Sequence, residues 1–222
     1  TFFNPVIVGF YALGHRILNI PMNFLGTSIG QVFFQKAAKA KISGTLAQLV
    51  ENTFQRLIQI ASFPFLILIV IGPELFTFLL GSKWVTAGLY VQILAPWMFF
   101  VFVGSPISTL LSVLEKQKLG LFFNIVLFIA RITSLIIGGL LSDIILALML
   151  FSTSGVIIWA WFCWYLTSCS GVATKNIFKI IIKNLTIAIF CIMPVILSKY
   201  LLPLDIIGLF SITILSTLVF VI

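Results

Sequence analysis

One arginine, Arg131, stands near the middle of "LFFNIVLFIARITSLIIGGLLS", residues 121–142. A run of this length and apolarity crosses a bilayer as a helix. Either end lies ~15 Å from the guanidinium at about 1.5 Å per residue, too far for the side chain to reach water by bending. A cation at that depth costs roughly 2.5–3.5 kcal/mol on the insertion scale, so it needs a partner. The acids of the chain are Glu51, Glu74, Glu115, Asp143 and Asp205. All fall at span ends or in loops, so none shares its depth. The partner is then water, an anionic ligand, or an acid on a part of the protein outside this chain. The alternative is a structural arginine bonded to backbone carbonyls of a neighbouring helix. Asn124, Arg131, Ser134 and Gly138 share one side of the helix, and Leu, Ile and Phe fill the other.

A second polar stripe runs along the first apolar segment. Tyr11, His15, Asn19 and Asn23 follow one another four residues apart, with Gln31 beyond and Arg16 adjacent. His15 is the only histidine. Its ordinary titration range is near neutrality, so it is a candidate for proton coupling; a hydrogen-bonded interior histidine is the other reading. Arg131, Arg16, Asn124, Ser134, Tyr11 and Asn19 are the candidates for lining a substrate cavity. Gln92, Pro96, Gly104, Ser105, Ser108 and Ser112 add weak polarity to the third segment, as a translocation path or ordinary helix packing would. Trp159, Trp161, Trp164 and Tyr165 cluster towards one end of another segment, as an interface anchor or, less simply, a sugar-stacking platform. No phosphate-cradling glycine loop, metal-ligand spacing or Ser–His–Asp set occurs. An enzyme, a metal site and a cofactor are therefore not expected. Cys163, Cys169 and Cys191 lie in apolar segments, form no CxxC pair, and read as buried small hydrophobes.

The elements that must position these residues are helices in a membrane. The chain of 222 residues is 61% hydrophobic and only 8% charged, against about 25% charged in soluble domains. Seven spans are expected, at about 5–35, 46–72, 86–113, 119–141, 144–168, 179–198 and 204–222. Pro21 should kink the first without breaking it, and Gly26 and Gly30 form a small-xxx-small pair. "GPELFTFLLGSKW" reads as a short re-entrant helix started by Pro73 and Glu74 and ended by Gly81, with Trp84 in the aromatic belt. "KAAKAKISGTLAQLVENTFQRLIQ" reads as an interfacial helix leading into span two. The net charge of +8 reflects lysines on one membrane side and does not call for nucleic acid as a partner. Lys36, Lys39, Lys41, Arg56, Lys116, Lys118, Lys175, Lys179 and Lys183 belong to one set of alternate loops; Lys83 and Lys199 belong to the other. Nine against two puts the first set in the cytoplasm. The expected cytoplasmic loops are 36–45, 114–118 and 170–178, and the outer ones 81–85, 142–144 and 199–204. The chain starts at Thr1 and stops at Ile222 inside an apolar run, and is expected to be a piece of a larger protein.

"GFYALGHRILNIPMNFLGTSIGQVFFQKAAK", "FPFLILIVIGPELFTFLLGSKWVTAGLYVQILAPWMFF" and "SPISTLLSVLEKQ" together resemble the bacterial polysaccharide flippases. These are the O-antigen and exopolysaccharide export proteins of the multidrug/oligosaccharidyl-lipid/polysaccharide exporter superfamily. The resemblance covers about residues 8 to 120. It rests on Gly9, Tyr11, Arg16, Pro21, Gln31-Val32, Gly72-Pro73, Gly81 with Trp84, and Pro96-Trp97. Gln35 stands where the family usually has a proline. The resemblance implies a protein of twelve to fourteen spans in two six-helix bundles. This chain would be the second bundle from around span eight: residues 1–142 are the best-matching part, and 143–222 supply additional helices of a single transmembrane domain. It also implies a cationic cavity, and transport of undecaprenyl-diphosphate-linked oligosaccharides across the bacterial inner membrane. The partners would be that substrate, the bilayer and the other bundle. A cation antiporter of the same superfamily would want acids within the membrane; a membrane enzyme of polysaccharide assembly would want a large polar loop or clustered acids and histidines.

Overall fold

The computed structural model describes residues 4–22 and 26–201, together with 208, 211–213, 215–216 and 220. It is helical throughout, with α1 Pro5–Pro21, α2 Thr27–Ser43, α3 Leu46–Leu80, α4 Val85–Ile107, α5 Leu110–Val113, α6 Gln117–Leu140, α7 Ile144–Cys169 and α8 Thr174–Leu201. Five of the spans so formed are long and apolar enough to cross a membrane: Leu46–Leu80, Ser82–Val113, Gln117–Leu140, Ile144–Cys169 and Thr174–Lys199. The chain is an all-α polytopic membrane protein.

The α4 helix is apolar all round, which is the pattern of a helix enclosed by others. It lies at the centre and packs on α3, α7, α1 and α2, while α6 leans on α7, and α8 on α3. Lipid supplies no hydrophobic drive between helices, so close contact depends on small residues at the seams. Gly72 meets Gly88 between α3 and α4, Gly155 receives the indole of Trp97, Gly104 receives Trp159, and Gly138 abuts Ala147 between α6 and α7. A Cβ at any of these positions would overlap its neighbour. The expected pair is not such a seam: Gly26 meets only the Met22 thioether, and Gly30 approaches Pro106 no closer than ordinary contact.

Several expected boundaries shift. Of the first expected span the structure describes α1 and α2; residues 23–25 between them, Asn23 among these, lie outside the described residues. Met22 and Gly26 on either side have right-handed helical backbone angles, and the kink expected at Pro21 falls on the segment outside the described residues. The α2 helix runs to Ser43, so Lys36, Lys39 and Lys41, expected in a loop, are helical. There is no separate interfacial helix either. The chain turns at Gly44, in the left-handed conformation at φ 74°, and α3 starts at Leu46.

The expected re-entrant helix is the outer third of α3. Helical bonding continues through it to Gly81, but Ile71 departs to φ −124°, ψ 24°, so the axis bends just before Pro73. Proline has no N–H to bond the carbonyl four residues back, at Ile69. Gln92 Nε2 of α4 donates to that carbonyl instead. Lys199 Nζ of α8 donates to the carbonyl of Val70 at 2.6 Å and pairs with Glu74 at 3.0 Å. The expected loop 170–178 shortens because α8 begins at Thr174. Most of the expected last span, 204–222, lies outside the described residues; within it Phe220 stacks on Phe63 of α3 with ring centroids 4.9 Å apart.

The two loop sets separate to opposite ends. At one, Lys41 pairs with Glu115 at 3.2 Å, Lys116 Nζ lies 3.2 Å from Cys169 Sγ, and Asn176 donates to Glu51. At the other, Phe10 packs edge-on against Trp84, and Glu74 meets Lys199. Asp143 caps α7 there by accepting from the Leu146 N–H at 3.0 Å, which is why a single acid suffices for so short a turn.

Candidate functional site

Gly120, Phe123, Leu127, Ser134 and Gly138 form the buried stripe of α6, and Arg131 falls in its gap at helical spacing. The side chain therefore points into the bundle, not into lipid. Its guanidinium carbon lies 5.4 Å from the ring centroid of Trp97 on α4 and 5.4 Å from that of Phe151 on α7. These two rings pack edge to face at 5.0 Å. Trp97 is held in place because Gly155 leaves room for its indole.

The stripe on α1 reaches the same place. His15 stacks between Tyr11, at 5.6 Å, and Trp97, at 6.2 Å. Asn19 Nδ2 donates to the His15 carbonyl at 2.8 Å and lies 3.0 Å from Nδ1 and 3.3 Å from Nε2 of the same imidazole. His15 and Arg131 thus share Trp97 as a neighbour, and the α1 stripe and Arg131 gather around its indole. Arg131, Tyr11, His15 and Asn19 are each half-buried there. Beyond Tyr11 and Phe151, towards the outer end, opens an apolar hollow of about 150 Å³, also lined by Ile7, Val8, Leu135 and Leu148.

These contacts explain how the arginine is tolerated. Each cation–π contact contributes about 0.5–2 kcal/mol, more when desolvated, so two rings offset much of the roughly 2.5–3.5 kcal/mol insertion cost. They do so without a counter-charge. Among the described residues Arg131 has no ion pair and no hydrogen bond, to a carbonyl or otherwise. The structural reading, a bond to neighbouring carbonyls, is thus replaced by aromatic contact, and a guanidinium's five donors remain for something else. Trp97 Nε1 is buried and also lacks an acceptor among the described residues.

Other candidates fall elsewhere. Arg16 is exposed, and no contact joins it to this cluster among the described residues. Asn124 is exposed, and its amide bonds the Gly120 carbonyl of its own helix at 2.8 Å. Ser134 is buried in the α6–α7 seam and bonds the Ala130 carbonyl at 2.7 Å; with Gly138 it serves packing, so the supposed polar face of α6 comes down to Arg131. The aromatic cluster divides too. Trp159 turns inward, edge-on to Phe123 at 5.0 Å, while Trp161 and Trp164 are exposed and Trp161 stacks on Tyr165. Trp97 and Phe151 were not foreseen as site residues. Trp97 carried a weak signal in the Pro96-Trp97 pair; Phe151 lies in an unbroken apolar run and carried none.

No group of three or more His, Cys, Asp or Glu side chains able to hold a metal occurs among the described residues. Residues 1–89 match the model of a family described as polysaccharide biosynthesis protein. That segment contains α1, α2, α3 and the start of α4, and so Tyr11, His15 and Asn19; Trp97, Arg131 and Phe151 lie beyond it. This part of the chain is thus similar to proteins of polysaccharide biosynthesis, and the apolar helices mark a multi-pass membrane protein. No curated protein and no solved structure matches the chain.

Proposed function

We propose that this chain is one bundle of a transporter, not an enzyme, that carries an anionic, lipid-linked oligosaccharide across the bacterial inner membrane. The undecaprenyl-diphosphate-linked units implied by the resemblance fit this chemistry. One observation carries the reading: a mid-membrane guanidinium, cushioned by two aromatic rings, with no carboxylate or other acceptor on its donors among the described residues. A planar donor fork matches two oxygens of a phosphate or carboxylate at once. The neighbouring rings of Tyr11, His15 and Trp97 are surfaces on which sugars or prenyl carbons can lie. An antiporter for cationic drugs wants a carboxylate in the same place, and the described part of this cluster has none.

His15 extends the mechanism. A protonated imidazole beside Arg131 sets two cations in one cluster, and an anion bound between them relieves that repulsion. Substrate entry then favours proton uptake, and substrate release favours proton loss. The test is reconstitution of the full-length protein into vesicles with a labelled lipid-linked oligosaccharide on one face, read by an impermeant reagent that reaches only the other. Transport is expected, with a pH dependence between about 5 and 8 that His15→Gln flattens. Absence of transport of the anionic lipid, with export of a lipophilic cation instead, refutes the proposal.

A further inference from the structure

We infer that the cleft between α2 and α3 is a binding site for an anionic phospholipid of the cytoplasmic leaflet, separate from the Arg131 cluster and independent of what is transported. The two helices join at Gly44 and leave a space of about 610 Å³ between them. Its lining includes Lys36 from α2 with Asn52 and Arg56 from α3, and, further along the helices from the turn, Ile29 and Ile60. Cations at one end of a slot and aliphatic carbon at the other match a phosphate headgroup with its acyl chains.

The level in the membrane agrees. The α3 helix has 35 residues, ~52 Å at about 1.5 Å per residue, well beyond a hydrocarbon core of about 30 Å. From Leu57 to Leu80 it contains no lysine or arginine, so Arg56 marks the boundary where hydrocarbon gives way to headgroups. On α2, which runs back alongside, Lys36 lines the same space as Arg56. Neither cation has an ion pair or hydrogen bond among the described residues. The nearest acid along α3, Glu51, is held by Asn176 on the side facing α8 and lines a different pocket. The cleft therefore presents two unneutralised cations to the leaflet whose lipids are most often anionic.

The test uses the full-length protein, purified in mild detergent and offered equal amounts of phosphatidylglycerol and phosphatidylcholine with identical chains. Retained lipid is counted by native mass spectrometry. The wild type should retain phosphatidylglycerol selectively. Lys36→Gln with Arg56→Gln should reduce that retention roughly tenfold or more. Lys118→Gln with Lys175→Gln removes the same charge from exposed positions at the same end and should leave it unchanged. Ile60→Trp fills the cleft while keeping both cations, and should also lower retention. Equal losses from the two double variants would reduce the effect to general surface charge, and full retention by Ile60→Trp would place the lipid elsewhere; either result overturns the inference. So would displacement of the lipid by millimolar inorganic phosphate, because a phosphate site without a tail slot would then suffice.

Discussion

At the scale of single residues, Arg131 combines two properties that separate substitutions can distinguish. Its charge is stabilised by Trp97 and Phe151, and its donors have no acceptor among the described residues. Arg131→Ala removes both cation and donors but leaves an apolar side chain in an apolar seam, so the protein should reach the membrane at normal abundance while polysaccharide export falls at least tenfold. Arg131→Lys keeps the charge without the planar fork and should retain an intermediate activity. Abundance and export must be measured together. If both variants lower abundance in parallel with export, the arginine is a strut; if Arg131→Ala exports normally, it is not a ligand.

At the scale of elements, the bend of α3 is held by its neighbours. Pro73 leaves the Ile69 carbonyl without its intrahelical donor, and Gln92 on α4 supplies one. Lys199 on α8 donates to the neighbouring Val70 carbonyl. The bend is thus tied on both sides, and the close contact of Gly72 with Gly88 keeps α4 near enough for the glutamine to reach. Gln92→Leu orphans a partly buried carbonyl and should destabilise the folded protein by about 1 kcal/mol or more, visible as a lower midpoint in thermal unfolding in detergent. Adding Pro73→Ala restores a backbone donor, and the double variant should recover part of the loss. Additive losses would mean that the glutamine matters for some other reason.

At the scale of the whole molecule, the separation of loop sets to opposite ends predicts sidedness. Single cysteines at Lys118 and Lys175 should react with impermeant reagents only from the cytoplasm, and those at Lys83 and Ser142 only from outside, in a protein whose Cys163, Cys169 and Cys191 have been replaced. Labelling of Lys118→Cys from outside would invert the orientation. Length, apolarity and lysine bias are properties of a chain in a bilayer and do not wait for packing. That is why the helical class, the spans of α6 and α7 to within two residues, and the grouping of Lys41, Lys116 and Lys175 at one end were legible from the sequence. The absence of an ion pair at Arg131 among the described residues agrees with the list of carboxylates and their expected depths, which is a one-dimensional fact. Tertiary structure alone decided what Arg131 touches: Trp97 and Phe151 come from helices 34 and 20 residues away in the chain, brought together by Gly155 and the central placement of α4. It also decided that Ser134 and Gly138 serve a seam, that His15 and Arg131 come to lie against the same Trp97, and that α3 bends where α4 and α8 can satisfy its carbonyls. Helical periodicity says which residues share a face, but in a chain apolar on every side it does not say which face meets which neighbour. Steric fit at small residues makes that choice, and it exists only once the helices are packed.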